Sequence, residues 1–235
     1  MKKQALFVLT FVINAQLFAQ EQVAVPYEKQ RVDTEFSVDK LYNKNTGKWI
    51  NQQEFAQLVK EDPNLALEQV YDDEGNTVKY LYDPDKPKSS VIAETSDGVT
   101  VGSSYPELIF KSIDGETIAL KDLRGKMVIL RFEMEADTFR FKKHEIEEMD
   151  RAINASLRKS EIAAIIVFDA TEQQIKKGFD LENSNFRLVP DGHNFHRKLN
   201  VNSFPHTVIL DKQGKLMEEF SFSEEINISE LLNRS

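Results

Sequence analysis

Long apolar stretches alternate with amphipathic ones in residues 99–235 of the chain. Residues 127–132 and 162–168 are almost entirely apolar, which predicts two strands buried on both faces of a sheet. Between them, residues 138–158 predict a helix, because apolar side chains recur every three or four residues (Ile146, Met149, Ile153 and Leu157). Further strands are predicted at residues 186–189, 207–210 and 216–222, and helical segments after Thr171 and at residues 195–199 and 228–234. This order of elements predicts an α/β domain with helices on both faces of its sheet.

Residues 36–83 have a different pattern, which predicts a small α+β unit. A strand is predicted at residues 36–42, and a helix follows Asn51, whose spacing from Glu54 is that of a capping box. Apolar runs at 65–71 and 77–82 flank a turn rich in Asp and Gly, which predicts a β-hairpin. Residues 84–98 begin with two prolines and several charges and are predicted to be a linker. No motif in residues 36–83 indicates a chemical activity, so the sequence assigns this unit no role.

The N-terminal residues 1–19 have the composition of a secretory signal peptide. Lys2 and Lys3 precede an apolar run, and Ala19 offers a small residue for cleavage before Gln20. The apolar run is too short for a comfortable membrane span, so we expect cleavage. The remaining protein is expected to be periplasmic or extracellular, with no membrane span, and residues 20–35 to form a flexible lead-in.

Composition narrows the classes of function. The chain carries 30 Lys and Arg against 39 Asp and Glu, a net charge of −9. A general nucleic-acid binder needs an excess of basic residues to replace phosphate counterions, so we expect no nucleic-acid partner. The chain contains no cysteine, which excludes disulfides, thiolate catalysis, zinc–thiolate sites and iron–sulfur clusters. No motif indicates a cofactor, and none is expected.

Four stretches of residues 99–235 resemble segments of thioredoxin-fold proteins. They are residues 102–108 with Pro106, residues 114–126 with Leu-Arg-Gly-Lys, the strand 128–132, and residues 201–214 with Phe-Pro-His-Thr and a following Asp and Gly. In this combination the chain is similar to the exported TlpA-like proteins and to the redoxins of the AhpC/TSA type. The resemblance implies a thioredoxin-like fold, in which helices flank a central mixed sheet, here preceded by the small α+β unit. It also implies a family label of thiol-disulfide oxidoreductase or redoxin.

The sequence departs from these families where they carry Cys-x-x-Cys. Counted from Phe132, the two cysteine positions fall on Asp137 and Arg140. Counted back from Glu145, they fall on Phe139 and Lys142, two residues further along. Neither register contains sulfur, and disulfide exchange proceeds through thiolate attack. We therefore expect no thiol-disulfide oxidoreductase or peroxidase activity that depends on cysteine.

The resemblance aligns Pro205 with a proline that is cis in this fold and lies beside the family's substrate groove. One hypothesis is a retained groove that binds another envelope or secreted protein, or an extended peptide. Its candidate residues are Asp137, Phe139, Arg140, Phe204, Pro205 and His206. A second is a metal- or small-ligand-binding protein or enzyme that uses His193, His196 and His206 with acidic residues of 133–137. In a third, Pro205 is only architectural and the protein is a structural unit of an envelope complex.

Overall fold

The computed structural model describes residues 36–63, 65–85, 99–136, 141–179, 183–221 and 226–235. The predicted signal peptide and lead-in lie outside the described residues, as does residues 86–98 of the predicted linker. Three candidate binding residues also lie outside them, namely Asp137, Phe139 and Arg140. No helix within the described ranges combines the length and the apolarity that crossing a membrane requires.

The small unit consists of three strands and one helix: β1 (Leu41–Asn43), α1 (Gln52–Glu61), β2 (Leu67–Tyr71) and β3 (Thr77–Tyr82). The strand order is β1-β3-β2, with β1 parallel and β2 antiparallel to β3. The predicted hairpin is confirmed, whereas the strand predicted at 36–42 is wrong in extent. Val38–Lys40 instead form a short 3-10 turn before β1, because the Ser37 side chain accepts from the amide of Asp39 and caps it.

Local hydrogen bonds explain why this unit folds as the sequence predicted. The Asn51 side chain accepts from the amides of Gln53 and Glu54, and Glu54 accepts in return from the Asn51 amide. This capping box satisfies the amides at the start of α1, which otherwise lack partners. A small core of Leu41, Ile50 and Tyr80 then holds the sheet and helix together.

The remaining elements form the predicted α/β domain, whose fold is confirmed. A hairpin of β4 (Ile109–Lys111) and β5 (Thr117–Ala119) precedes the main sheet. The sheet itself has the order β10-β9-β6-β7-β8. Its strands and the helices between them are β6 (Met127–Glu133), α2 (Lys143–Ala155), β7 (Ile162–Phe168), α3 (Glu172–Gly178), β8 (Phe186–Val189), α4 (His193–Lys198), β9 (His206–Leu210), β10 (Leu216–Ser221) and α5 (Ile228–Arg234). Strands β6, β7 and β8 are parallel, while β9 is antiparallel to both β6 and β10.

Two hydrophobic cores form on the two faces of this sheet, because successive side chains of a strand point to opposite sides. Met127 and Ile129 of β6 pack into the core that contains residues of α2, α3 and α5. Val128, Leu130 and Phe132 pack into the other core, with residues of α4 and of the β4–β5 hairpin. Burying one such aliphatic or aromatic side chain contributes roughly 1.5–3 kcal/mol. These cores fix the sheet edge at which β6 and β7 end.

The helix predicted at residues 138–158 is shorter in the structure. It begins at Lys143 and ends at Ala155, while residues 138–140 lie outside the described residues. Ile146, Met149 and Ile153 are buried as predicted. Leu157 is fully exposed, so its assignment to the apolar face was wrong: α2 has already ended at its C-cap residue, Ser156.

The turn between β2 and β3 contacts the α/β domain. The Ile109 amide donates to the Asp73 carbonyl over 2.7 Å. The Lys198 ammonium donates to the Asp72 carbonyl over 2.8 Å and to the Asp73 carboxylate over 3.0 Å. Gly75 adopts a φ of +80°, and a Cβ there would lie 3.2 Å from the Phe195 ring. Glycine therefore serves both the turn conformation and the close approach of Phe195.

Candidate functional site

Three strands meet at the edge of the sheet where the candidate groove was predicted. Phe132, near the end of β6, pairs with His206 at the start of β9. Glu133 pairs with Phe168, the last residue of β7. The bond between Phe204 and Pro205 is cis, as the resemblance implied, and it directly precedes β9. The structure thus places Phe204, Pro205 and His206 together at this edge.

The backbone before Pro205 has unused hydrogen-bonding groups. Within the described part of the chain, the amides of Ser203 and Phe204 make no hydrogen bond to another backbone group. Ser203 and Phe204 are half-buried, whereas Pro205 is buried. An exposed row of backbone donors and acceptors is a template on which an extended peptide can add as a further strand.

An aromatic wall lines the groove beside this segment. The Phe204 ring lies 4.8 Å from the His196 ring, and Phe132 meets His196 edge-on with centroids 5.5 Å apart. His196 is buried, and its Nε2 lies 3.4 Å from the Val167 carbonyl oxygen. Because a carbonyl only accepts, Nε2 carries the proton and Nδ1 keeps a lone pair, for which the described residues provide no donor.

Burial sets the charge of the two histidines at this edge. Burial lowers the pKa of His196 to about 4, so this ring is neutral at pH 7. Burial also lowers the pKa of His206, against the opposing effect of the Glu219 carboxylate 3.9 Å away. The groove therefore presents uncharged aromatic rings at neutral pH.

The metal hypothesis finds no assembled ligand set. His193 is engaged with the Asp169 carboxylate, at 3.1 Å from Nδ1. Glu133, which was expected in a loop with Glu135 and Asp137, is instead buried within β6. In the described ranges, no group of three histidine or acidic side chains could hold a metal ion.

A buried ionic cluster, which the sequence reasoning did not identify, lies directly below this edge. It consists of Arg131, Glu133 and Glu145. Arg131 is only 1% exposed although it lies in the middle sheet strand. Its Nε donates to Glu133 over 2.7 Å and one terminal nitrogen donates to Glu145 over 2.8 Å. The cluster therefore ties the first turn of α2 to the end of β6.

Two carboxylates share one guanidinium in this cluster, which leaves an excess of negative charge. Burial raises the pKa of Glu133 to about 6; the guanidinium of Arg131 lowers it, and the charge of Glu145 raises it. One oxygen of Glu145, Oε1, is buried with no hydrogen-bond partner among the described residues. The cluster can hold a proton near neutral pH, but it contains no nucleophile. A sequence signal did exist: Arg131 and Glu133 are two apart in a strand, and so they share one face.

The strand order, the antiparallel β9 and the cis proline before it define a thioredoxin-like fold. The chain belongs to the AhpC/TSA family, whose model matches residues 101–219. It is 27% identical over 123 residues to the thioredoxin-like protein YneN of Bacillus subtilis (strain 168), which covers 52% of this chain and 71% of that protein.

Solved structures include two for which similarity was measured. The thioredoxin domain of a thiol-disulfide oxidoreductase from Bacteroides vulgatus is 22% identical, with a TM-score of 0.46, over 58% of this chain and 96% of that one. A thiol peroxidase from Chromobacterium violaceum is 13% identical, with a TM-score of 0.48, over 59% and 89%. The strand order and the family match, rather than these likenesses, establish the fold.

Proposed function

We propose that this protein is an exported, redox-inactive thioredoxin-fold protein that binds an extended segment of another envelope or secreted protein. The segment adds as a strand along the backbone before Pro205. The observation that carries the proposal is the pair of unused amides at Ser203 and Phe204, beside the cis bond and at the start of β9. The basic and apolar composition of residues 1–19 supports export.

The absence of cysteine supports a role without redox chemistry. Thiol-disulfide exchange requires a thiolate that attacks a disulfide sulfur, and the chain has no cysteine to supply one. A purified sample is expected to leave insulin disulfides and peroxide unchanged. Activity that remained with the protein through successive columns would contradict this part of the proposal.

The chemistry of the groove indicates what kind of segment it accepts. Phe204, Phe132 and the neutral His196 offer an apolar, aromatic surface next to the free amides. An extended segment would place alternate side chains on this surface and use its backbone for hydrogen bonds. The partner segment is therefore expected to be extended and to carry an apolar or aromatic side chain at every second position.

Peptide selection tests this proposal directly. Peptides that bind the purified protein are selected from a random displayed library, and the affinity of the best one is measured by fluorescence polarisation. That peptide is then remade with single N-methylated amides along its length. Each backbone hydrogen bond contributes about 0.5–1.5 kcal/mol, so methylation at every second residue should weaken binding by about 2- to 10-fold. Equal affinities for all methylated versions would overturn strand addition.

A pair of matched variants locates the binding surface. Phe204→Ala should weaken the selected peptide, because its ring forms part of the aromatic wall. Phe36→Ala is the control: Phe36 is also a partly exposed phenylalanine, but it packs on Phe55 and Tyr80 in the small unit. Equal weakening by both variants, or by neither, would place binding elsewhere.

A further inference from the structure

A cleft of about 530 Å³ opens in the small unit, away from the residues of the groove before Pro205. Ile50 and Leu58 contribute apolar surface to it, and Trp49 and Tyr82 contribute aromatic rings. This volume lies within the range of about 300–1,000 Å³ that is usual for small-molecule sites. The cleft is therefore large enough to hold a ligand of several rings.

Trp49 is exposed in a way that core packing does not explain. About half of its surface, 51%, is exposed, and it is not part of the small unit's core. Its indole nitrogen donates to the Val38 carbonyl over 3.2 Å, and its backbone pairs with Tyr42. These contacts hold a flat apolar ring in one position at the wall of the cleft. A fixed aromatic surface provides contact area at little cost in conformational entropy.

Amide side chains line the rest of the cleft. Gln53 and Gln57 are four residues apart on α1 and so lie on the same helix face. Gln57 donates through Nε2 to Glu61, which leaves its carbonyl oxygen available to accept. Asn43 accepts through Oδ1 from the amides of Asn45 and Thr46, which leaves its NH₂ group available to donate. The cleft therefore offers both donors and acceptors from side chains that carry no charge.

Charge and backbone pairing argue against other classes of ligand. Lys48 and Glu54 are the charged residues among those lining the cleft, so their charges balance, in a chain with a net charge of −9. Strand addition is also disfavoured, since residues 48–50 already pair with the outer edge of β1. The Asn43 amide donates to Lys48, and the Ile50 amide donates to Leu41. The cleft thus suits neither a highly charged ligand nor an added peptide strand.

We propose that this cleft binds a neutral carbohydrate. A pyranose ring has an apolar face of C–H groups, which would stack on Trp49, and a rim of hydroxyl groups. Each hydroxyl both donates and accepts, which matches the uncharged amides of Asn43, Gln53 and Gln57. The carbohydrate site is separate from the groove proposed to bind peptide, and neither proposal depends on the other.

Intrinsic fluorescence gives a direct test, because Trp49 is the chain's only tryptophan. The full-length purified protein is titrated with malto-, cello-, xylo-, laminari- and chito-oligosaccharides, each of six sugars. At least one should change the emission of Trp49 in a saturable manner. A panel in which none does so would overturn the proposal, as would a signal from an acidic oligosaccharide or a peptide alone.

Variants then locate the site by calorimetry with the oligosaccharide that binds. Trp49→Ala should weaken binding at least tenfold, and Gln57→Ala by about 3- to 10-fold for one lost hydrogen bond. Gln52→Ala is the matched control, because Gln52 is exposed at the start of α1 and does not line the cleft. Gln57 is exposed as well, so its variant remains informative if Trp49→Ala fails to fold. Unchanged affinity in Gln57→Ala, or an equal loss in Gln52→Ala, would overturn the assignment.

Discussion

Replacing Arg131 with methionine should destabilise the protein strongly. Arg131 donates to Glu133 over 2.7 Å and to Glu145 over 2.8 Å. Its side chain and that of Glu133 are almost fully buried, and that of Glu145 is 15% exposed. Methionine fills a similar volume but removes the positive charge. The two carboxylates would then remain close together without a counter-charge.

The size of the effect follows from these positions. With charge centres about 4 Å apart and an effective dielectric constant of about 20, each contact is worth about 4 kcal/mol. Relief of the desolvation of Arg131 offsets part of this gain. Breaking a buried ion pair by removing one partner typically costs about 3–5 kcal/mol, which we take as the expected loss in the free energy of unfolding. Domains of this kind have about 5–15 kcal/mol in total, so the variant would be marginal.

The loss should depend on pH, because it arises from carboxylate charge. The pKa of Glu133 is about 6 in the native protein, above its ordinary value, and removal of Arg131 would raise it further. Protonation of Glu133 removes one of the two uncompensated charges. The destabilisation by Arg131→Met should therefore be larger at pH 8 than at pH 5.

Urea unfolding followed by far-ultraviolet circular dichroism measures this effect at both pH values. The double variant Arg131→Met, Glu133→Gln should recover part of the loss at pH 8, because it removes one buried charge. Arg187→Met is the control, since Arg187 pairs at the surface with Glu116, which is more than half exposed; its loss should stay below about 1 kcal/mol. A loss below about 1 kcal/mol for Arg131→Met at pH 8, with an unchanged dependence on urea, would refute the reasoning.

Two further predictions concern α4. Because the pKa of His196 is about 4 when folded, below its ordinary value of 6.5, native stability is lost as the pH falls through this range. His196→Leu should remove this loss and gain about 2 kcal/mol relative to the wild type between pH 7 and 4.5 in urea unfolding, whereas parallel pH profiles would contradict the assignment. Lys198→Met should loosen the turn that it holds through Asp72 and Asp73 and speed hydrogen exchange of the Ile109 amide by about tenfold, for a loss of about 1.4 kcal/mol. Unchanged exchange at Ile109 would show that Lys198 does not anchor the turn.

Much of the fold was predictable because its signals are local. The apolar runs that became β6 and β7 are long enough to fix two buried parallel strands. Capping boxes at Asn51 and Thr171 mark the starts of α1 and α3, and the structure contains both. The cis bond before Pro205 was implied only by the family resemblance, since no local pattern specifies it.

The errors and omissions arise where a local pattern competes with tertiary context. Leu157 continued the apolar spacing of α2, but that helix stops two residues earlier and leaves the side chain in solvent. Arg131 was missed because one charge in an apolar run does not reveal its partner. The partner Glu145 is 14 residues away and comes close only when α2 packs on the sheet. The carbohydrate-site residues likewise become a set only after α1 folds against β1.

The ionic cluster also bears on why this sheet edge suits binding rather than thiol chemistry. A thiolate is favoured by the positive end of a helix dipole and by nearby cations. Here Glu145 occupies the first turn of α2, and Arg131 is already engaged by two carboxylates. Both sources of positive potential are thus directed at acidic side chains within the fold. Backbone addition before Pro205 needs neither of them, since it depends on the amides of Ser203 and Phe204 and on neutral aromatic rings.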